Sequence, residues 1–192
     1  MSYTPINKST DYFNTKLYTG NGSTQSITGV GFQPDFTWLK SRSASTDHQL
    51  FDAVRGTGKS LISNNTDVEY SGSNLLTAFG TDGFSLGDHA PLNGNGVTFA
   101  SWNWKANGAG STNYDGSINT TVSVNTTSGF SIVKWTGNST AGETIGHGLG
   151  VTPKVVIIKR LNGAAQSWIC KFPTATDGYL ALDTTDAISA SS

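Results

Sequence analysis

Residues 55–60, Arg-Gly-Thr-Gly-Lys-Ser, end the way a phosphate-binding loop ends, with Gly58, Lys59 and Ser60 in the order that cradles a nucleotide. The complete motif places another glycine five residues before Gly58, and Ala53 stands there instead. It also needs a following helix whose N-terminus faces the phosphates. The stretch after Ser60, LISNNTDVEYSG, has β-branched residues and paired asparagines but no helical apolar stripe. The segment therefore reads as a β-turn with a solvated lysine.

The other reactive side chains are equally isolated. His48 and His89 each follow an aspartate (Asp47, Asp88), and His147 lies in GHGLG. None has a second His or Cys at ligand spacing, so all three read as solvated turn residues. Glu69 and Glu143 are the only glutamates and lie in polar turns of different segments. A glycosidase pair must face each other across a cleft, so these two read as surface carboxylates. No Gly-x-Ser-x-Gly elbow is present. Cys170 is the single cysteine, which excludes an internal disulfide, and its setting SWICKF reads as a buried, inert thiol. Asp82-Gly83 and Asp177-Gly178 lack the D-x-[DN]-x-[DN] run of a calcium loop and read as hairpin turns. The sequence thus offers no catalytic residue, no cofactor site and no metal site. Trp102 and Trp104, flanking Asn103, remain. On one strand they share a face, which is what a sandwich core looks like; the alternative is a flat aromatic platform for a sugar.

The elements that would carry these residues are strands. The chain of 192 residues holds 23 Gly, 23 Ser, 26 Thr and 15 Asn against two Glu, a balance that favours sheets and tight turns over helices. Nine Phe, six Tyr and five Trp provide surface to bury. Charged residues make up 13% and the net charge is −1, so no field steers nucleic acid or an anionic membrane to the protein. No stretch approaches the roughly 18 apolar residues of a membrane span, and the N-terminus has no basic-then-apolar secretory pattern. Synthesis in a cytoplasm, without membrane insertion, is the expectation.

The chain also repeats itself. FNTKLYTGN at 13–21 matches FSIVKWTGN at 130–138, and GFQPDFTWLK at 31–40 matches GVTPKVVIIK at 150–159, an offset that shifts from 117 to 119 and still holds at Thr66-Asp67 against Thr185-Asp186. Each copy reads as a strand, a polar turn, Gly-x-x-Pro and a second strand. Copy 1 continues through SNLLTAFG, FSLGDH and VTFASWNWK; copy 2 has no counterpart to Tyr70–Lys105. We therefore expect an all-β protein of antiparallel β-sandwich, jelly-roll-like units in two tandem copies, the second incomplete. The expected divisions are an N-terminal arm at 1–12, copy 1 at 13–106, a Gly/Asn-rich linker at 107–116 and copy 2 at 117–192. An incomplete sandwich leaves an open strand edge, so strands of a neighbouring chain or of the N-terminal arm are expected to close it.

YTGNGSTQSITGVGFQPDFTWLKSR, FDAVRG, DGFSLG, ASWNWKA, TVSVNTTSGFSIVKWTGN and IGHGLGVTPKVVIIKR together resemble a repeated, uncharacterised domain of tailed-bacteriophage proteins, abundant in marine phage genomes. The resemblance runs from about Tyr12 to Asp186. It implies a non-enzymatic virion component (tail fibre, appendage or capsid decoration) and carries over no catalytic residue. The implied partners are copies of itself, with a trimer as the default for a fibre, and other virion proteins. A carbohydrate-binding adhesin recognising host surface glycans through Trp102 and Trp104 is the alternative.

Overall fold

The computed structural model describes residues 6–172 and 178–190. Asp177, expected in a hairpin turn, lies outside the described residues. Sixteen short strands dominate, all pairs between them are antiparallel, and the fold is all-β and sandwich-like.

The first half supplies β1 (Phe13–Thr19), β2 (Gln25–Thr28), β3 (Phe36–Ser41), β4 (Gln49–Asp52), β5 (Lys59–Ile62), β6 (Tyr70–Ser71), β7 (Leu76–Gly80), β8 (Gly83–Leu86), the helical turn α1 (Ala90–Asn93) and β9 (Thr98–Trp104). Six of these strands form one sheet in the order β1-β9-β3-β4-β5-β6, and three form a second in the order β2-β8-β7. β9 is an inner strand of the larger sheet, second from its edge, paired with β1 from Phe13↔Trp104 to Thr19↔Thr98 and with β3 from Phe36↔Trp104 to Ser41↔Phe99. The sequence pattern does not reveal β2, because Ile27 is the one apolar residue in QSIT. Its burial against the core is what holds that strand in place.

Period-two alternation sorts the large sheet into two apolar faces. Leu39 and Phe51 face inward and meet Ile27, Leu76, Phe84 and Leu86 of the small sheet, with Leu75 and Leu92 closing the ends. Tyr18 stacks on Phe99 at 5.0 Å and donates its hydroxyl to the Leu92 carbonyl at 2.8 Å; burial raises its pKa far above the ordinary tyrosine range. Each fully buried Phe or Leu of this core contributes about 1.5–3 kcal/mol.

Two asparagines hold the polar backbone inside that core. Asn103 accepts from the Thr37 hydroxyl at 3.2 Å and donates to the Asn14 carbonyl at 3.1 Å and Ser101 Oγ at 3.0 Å. Asn93, wholly buried, accepts the Asn21 backbone N–H and donates to the carbonyls of Ser23 and Gly87. Each thereby meets the hydrogen-bonding demand that burial would otherwise leave as a cost.

The second half supplies β10 (Ser111–Asn113), β11 (Thr120–Asn125), β12 (Phe130–Trp135), β13 (Val156–Ile158), β14 (Ile169–Lys171), β15 (Gly178–Ala181) and β16 (Ser189–Ala190). These make two further antiparallel sheets, β10-β11-β12 and β13-β14-β15-β16. Residues 107–116, expected to be a linker, contain β10, which pairs with β11 from Ser111↔Val122 to Asn113↔Thr120. Gly and Asn at both ends of that short strand hide it from a pattern reading.

The duplication seen in the sequence is reproduced in the strands. β3, β5 and β6 reappear as β13, β15 and β16 at an offset of 119. Leu39 faces Gln49, and its counterpart Ile158 faces Ile169, so one extra residue sits in the β13–β14 connection. β12 is the counterpart of β1 at offset 117. The stretch expected to lack a counterpart, Tyr70–Lys105, is thus matched at its start by β16, while β2, β7, β8 and β9 have no counterpart strand among the described residues of the second half.

Both sheets of the second half pack on the outer face of the six-stranded sheet. Trp168 lies against Leu50, Leu61, Phe36 and Trp38, and its Nε1–H donates to the Ile62 carbonyl at 2.7 Å. At the other end Phe130 of β12 stacks on Trp104 at 6.2 Å and meets Phe36 edge-on at 6.1 Å. The described part of the N-terminal arm, residues 6–12, makes a 3-10 turn at Ser9–Asp11 and leads into β1, with Lys105 N–H bonded to the Tyr12 carbonyl. It adds no strand to the second half's sheets, so the expectation that it closes copy 2 does not hold for these residues.

Candidate functional site

The Arg-Gly-Thr-Gly-Lys-Ser segment joins β4 to β5, two strands of one antiparallel sheet, with no helix after it. Gly56 and Gly58 both adopt positive φ, at 88° and 69°, which makes them turn glycines; a Cβ on Gly58 would also lie 2.7 Å from the Gly72 carbonyl oxygen. The residue that matters here is Arg55. Its buried guanidinium donates to the Asp52 carboxylate, to the carbonyls of Leu50 and Lys59 at 3.1 Å each, and to Glu69 at 3.3 Å. Lys59 faces the other Glu69 oxygen at 3.8 Å. Glu69 is thus a largely buried member of an ion cluster and not a solvated carboxylate. The sequence offered no sign of it, since Arg55 and Glu69 are brought together only by the β5–β6 pairing. An open hollow of about 550 Å³ lies beside this turn, lined by Gly58, Lys59, Ser71 and Ser73 among others. With Glu69 already paired to its lysine, it has no free cation to hold a phosphate.

The histidines are half-buried rather than solvated, and each has a structural partner. Trp38 Nε1–H donates to His48 Nδ1 at 2.9 Å, and His147 Nδ1 accepts the Leu149 N–H at 3.2 Å. His89 precedes α1 and lies 6.3 Å from the Tyr70 ring. Among the described residues no group of three or more His, Cys, Asp or Glu could hold a metal ion. Asp82 is committed to the backbone: its carboxylate accepts the N–H groups of Gly29 at 2.9 Å and Gly31 at 2.6 Å, which hold its pKa below the ordinary value.

Burial, and then Lys40, push the His48 pKa below its ordinary value, with Asp47 opposing. The folded state therefore binds fewer protons than the unfolded one in the window below about pH 6.5, so stability rises with pH there and is lost on acidification. His48→Asn retains an acceptor for Trp38 without a titrating ring. Melting temperatures measured across that window should fall less steeply for His48→Asn than for the wild type. His89, whose pKa burial also lowers, and, at lower pH, Asp82 contribute to the slope that remains.

Cys170 on β14 is buried, and burial together with the negative charge of Asp183 raises its thiol pKa. A raised pKa starves the thiolate that alkylation requires. Iodoacetamide should leave the folded protein unmodified over a time in which the urea-unfolded chain reacts fully; equal rates would place the thiol in solvent.

Trp102 and Trp104 lie on the outer face of β9, opposite Phe99 and Asn103, and both are half-buried. Trp104 is surrounded by rings: Phe13 at 4.8 Å, Phe36 at 5.4 Å and the stacked Phe130 at 6.2 Å. Trp102 sits between Thr15 of β1 and Trp38 of β3. The Trp104–Phe130 contact links the second half to the first.

Apart from Leu17 and Tyr70, the exposed large apolar side chains among the described residues lie in the second half. On β13 and the residue before it, Val155, Val156, Ile157 and Ile158 are 49, 37, 50 and 38% exposed. Their counterparts on β3, Phe36–Leu39, alternate between half-buried and fully buried. Among the described residues β13 pairs only with β14, whereas β3 is flanked by both β4 and β9. Val151, Phe172, Leu182 and Ile188 add to the exposed apolar surface of this half. Exposed apolar side chains scattered singly are ordinary; a run of four along one strand is less so.

Comparison with curated proteins and with solved structures finds no match in either. One family profile does match, and it spans both halves of the chain in a single alignment. Over residues 8–192 the chain belongs to the family defined by a domain of unknown function, DUF7483.

Proposed function

We propose that this chain is a non-enzymatic structural component of a bacteriophage virion, part of a tail fibre, an appendage or a capsid decoration, and that it works through protein–protein assembly surfaces. The observation that carries the assembly reading is the exposed aliphatic run Val155–Ile158 on a strand with an unpaired edge. Exposed Val and Ile on a sheet edge invite further strand pairing, and the proline and charges that blunt such edges lie here only at its ends, Pro153-Lys154 before β13 and Lys159-Arg160 after it. The virion setting rests on the resemblance of the repeated Thr-Gly-Asn and Gly-x-x-Pro segments, and of the single Trp-Asn-Trp segment, to tailed-phage proteins. A part that must withstand conditions outside the cell without disulfides is well served by many short strands and tight turns.

Sedimentation equilibrium of the 192-residue chain at micromolar concentration tests the assembly reading. A discrete oligomer, a trimer foremost, is the expected result, and a single monomeric species at every concentration would count against self-assembly. Mass spectrometry of particles purified from cells carrying the gene tests the setting: the chain should be present in stoichiometric copy number, and its absence from the particles would remove the virion reading.

A further inference from the structure

We infer that the free edge of β13 is an acceptor for an antiparallel strand donated by a neighbouring polypeptide, and that β9 displays the chemistry of the donor. The inference rests on the assembly reading above and names the surface and partner it would use. Its basis is the internal duplication. β3 and β13 are the same strand of two related sheets, matched through Gly31/Gly150, Pro34/Pro153 and Lys40/Lys159 in sequence and through the pairing of β13 with β14 as of β3 with β4. In the first half the remaining edge of β3 is filled by β9 over six residue pairs, Phe36↔Trp104 to Ser41↔Phe99. In the second half the corresponding edge has no partner among the described residues, and Val156, Ile157 and Ile158 are exposed on it.

The first half also shows what such a strand must be. β9 reads Thr-Phe-Ala-Ser-Trp-Asn-Trp, uncharged, without proline, with Phe99, Ser101 and Asn103 on one face and Ala100, Trp102 and Trp104 on the other. Proline would remove a ladder donor, and a charge between Val156 and Ile158 would be desolvated without a partner. The donor is therefore an extended, neutral segment of about seven residues with large apolar side chains at alternate positions, the mode of strand addition to an exposed sheet edge. A second copy of this chain is a poor donor of β9 itself, because that strand is already paired on both sides.

The test uses the full 192-residue chain and a synthetic peptide of residues 94–106, GNGVTFASWNWKA. Hydrogen exchange is read at the β13 amides that point away from β14. They are expected to exchange fast in the chain alone and to slow roughly tenfold or more at saturating peptide. A control peptide carrying Ala100→Pro and Trp102→Pro should leave them fast. The inference is overturned if an excess of the first peptide produces no slowing, if the proline peptide slows them equally, or if they are already slow without peptide. In that last case a discrete oligomer in the sedimentation experiment would leave the assembly reading standing, with the edge filled by a second copy. No slowing combined with a strict monomer would remove both.

Discussion

Asp52→Ala is expected to destabilise the protein by about 3–5 kcal/mol, the loss typical of removing one member of a buried ion pair. Asp52 and Arg55 keep only 7 and 5% of their side-chain surface exposed. The carboxylate accepts both the Arg55 Nε–H and, at 2.8 Å, the Arg55 backbone N–H, so it fixes the turn after β4 as well as the charge. Without it the guanidinium keeps its carbonyl partners on Leu50 and Lys59 but loses its nearest anion, and Glu69 at 3.3 Å is a poor substitute. Urea unfolding of Asp52→Ala, Arg55→Met and the double variant Asp52→Ala/Arg55→Met separates the contributions. Each single change leaves an uncompensated buried charge, whereas the double removes both, so the double should be more stable than the sum of the singles predicts. A loss below about 1 kcal/mol for Asp52→Ala would mean that the pair behaves like an exposed one and that the cluster is hydrated.

The second large effect is expected at Trp168. Truncation of a buried tryptophan costs about 3–5 kcal/mol. Here the loss falls on one junction: Trp168 packs on Leu50 and Leu61, bonds the Ile62 carbonyl, carries the Lys159 ammonium 5.7 Å above its ring, and receives Asp183 on its own backbone N–H at 2.7 Å. Trp168→Ala should therefore loosen the β13–β16 sheet from the six-stranded sheet while the sandwich of residues 13–104 stays folded. Limited proteolysis should cut first in the second half, and amide exchange should accelerate in β14 and β15 but not in β3 or β9. Trp168→Phe keeps most of the packing and forfeits the indole hydrogen bond, for a loss nearer 1 kcal/mol. Equal effects of the two substitutions, or an accelerated exchange spread evenly over both halves, would show that Trp168 does not act as a local pin.

Several features were legible in the sequence for local reasons. The all-β class followed from the scarcity of Glu and the abundance of Thr, Gly and aromatics, because turn chemistry and strand propensity act over a few residues. The split of β9 into a Phe99 face and a Trp102/Trp104 face followed from its alternation. The repeat was visible because both copies keep the glycines, prolines and aromatics that their shared turns and strands require. The buried Arg55 cluster was not legible: arginine in a glycine-rich turn looks solvated until β5 and β6 bring Glu69 beside it. Nor was β10, three polar residues that are a strand only because β11 offers a partner.

By itself, then, the sequence determined that this chain forms short antiparallel strands joined by glycine and asparagine turns, that it contains one strand-turn-strand plan twice, and that no cysteine pair or histidine cluster is available for chemistry. Only the tertiary structure decided that β9 lies between β1 and β3, that the second half spreads as two sheets over the outer face of the first, and that one edge of β13 has no partner among the described residues. The physical reason is range. Turns and alternation depend on neighbours in the chain, whereas burial depends on partners such as Trp168 and Ile62, 106 residues apart, whose meeting no local pattern records.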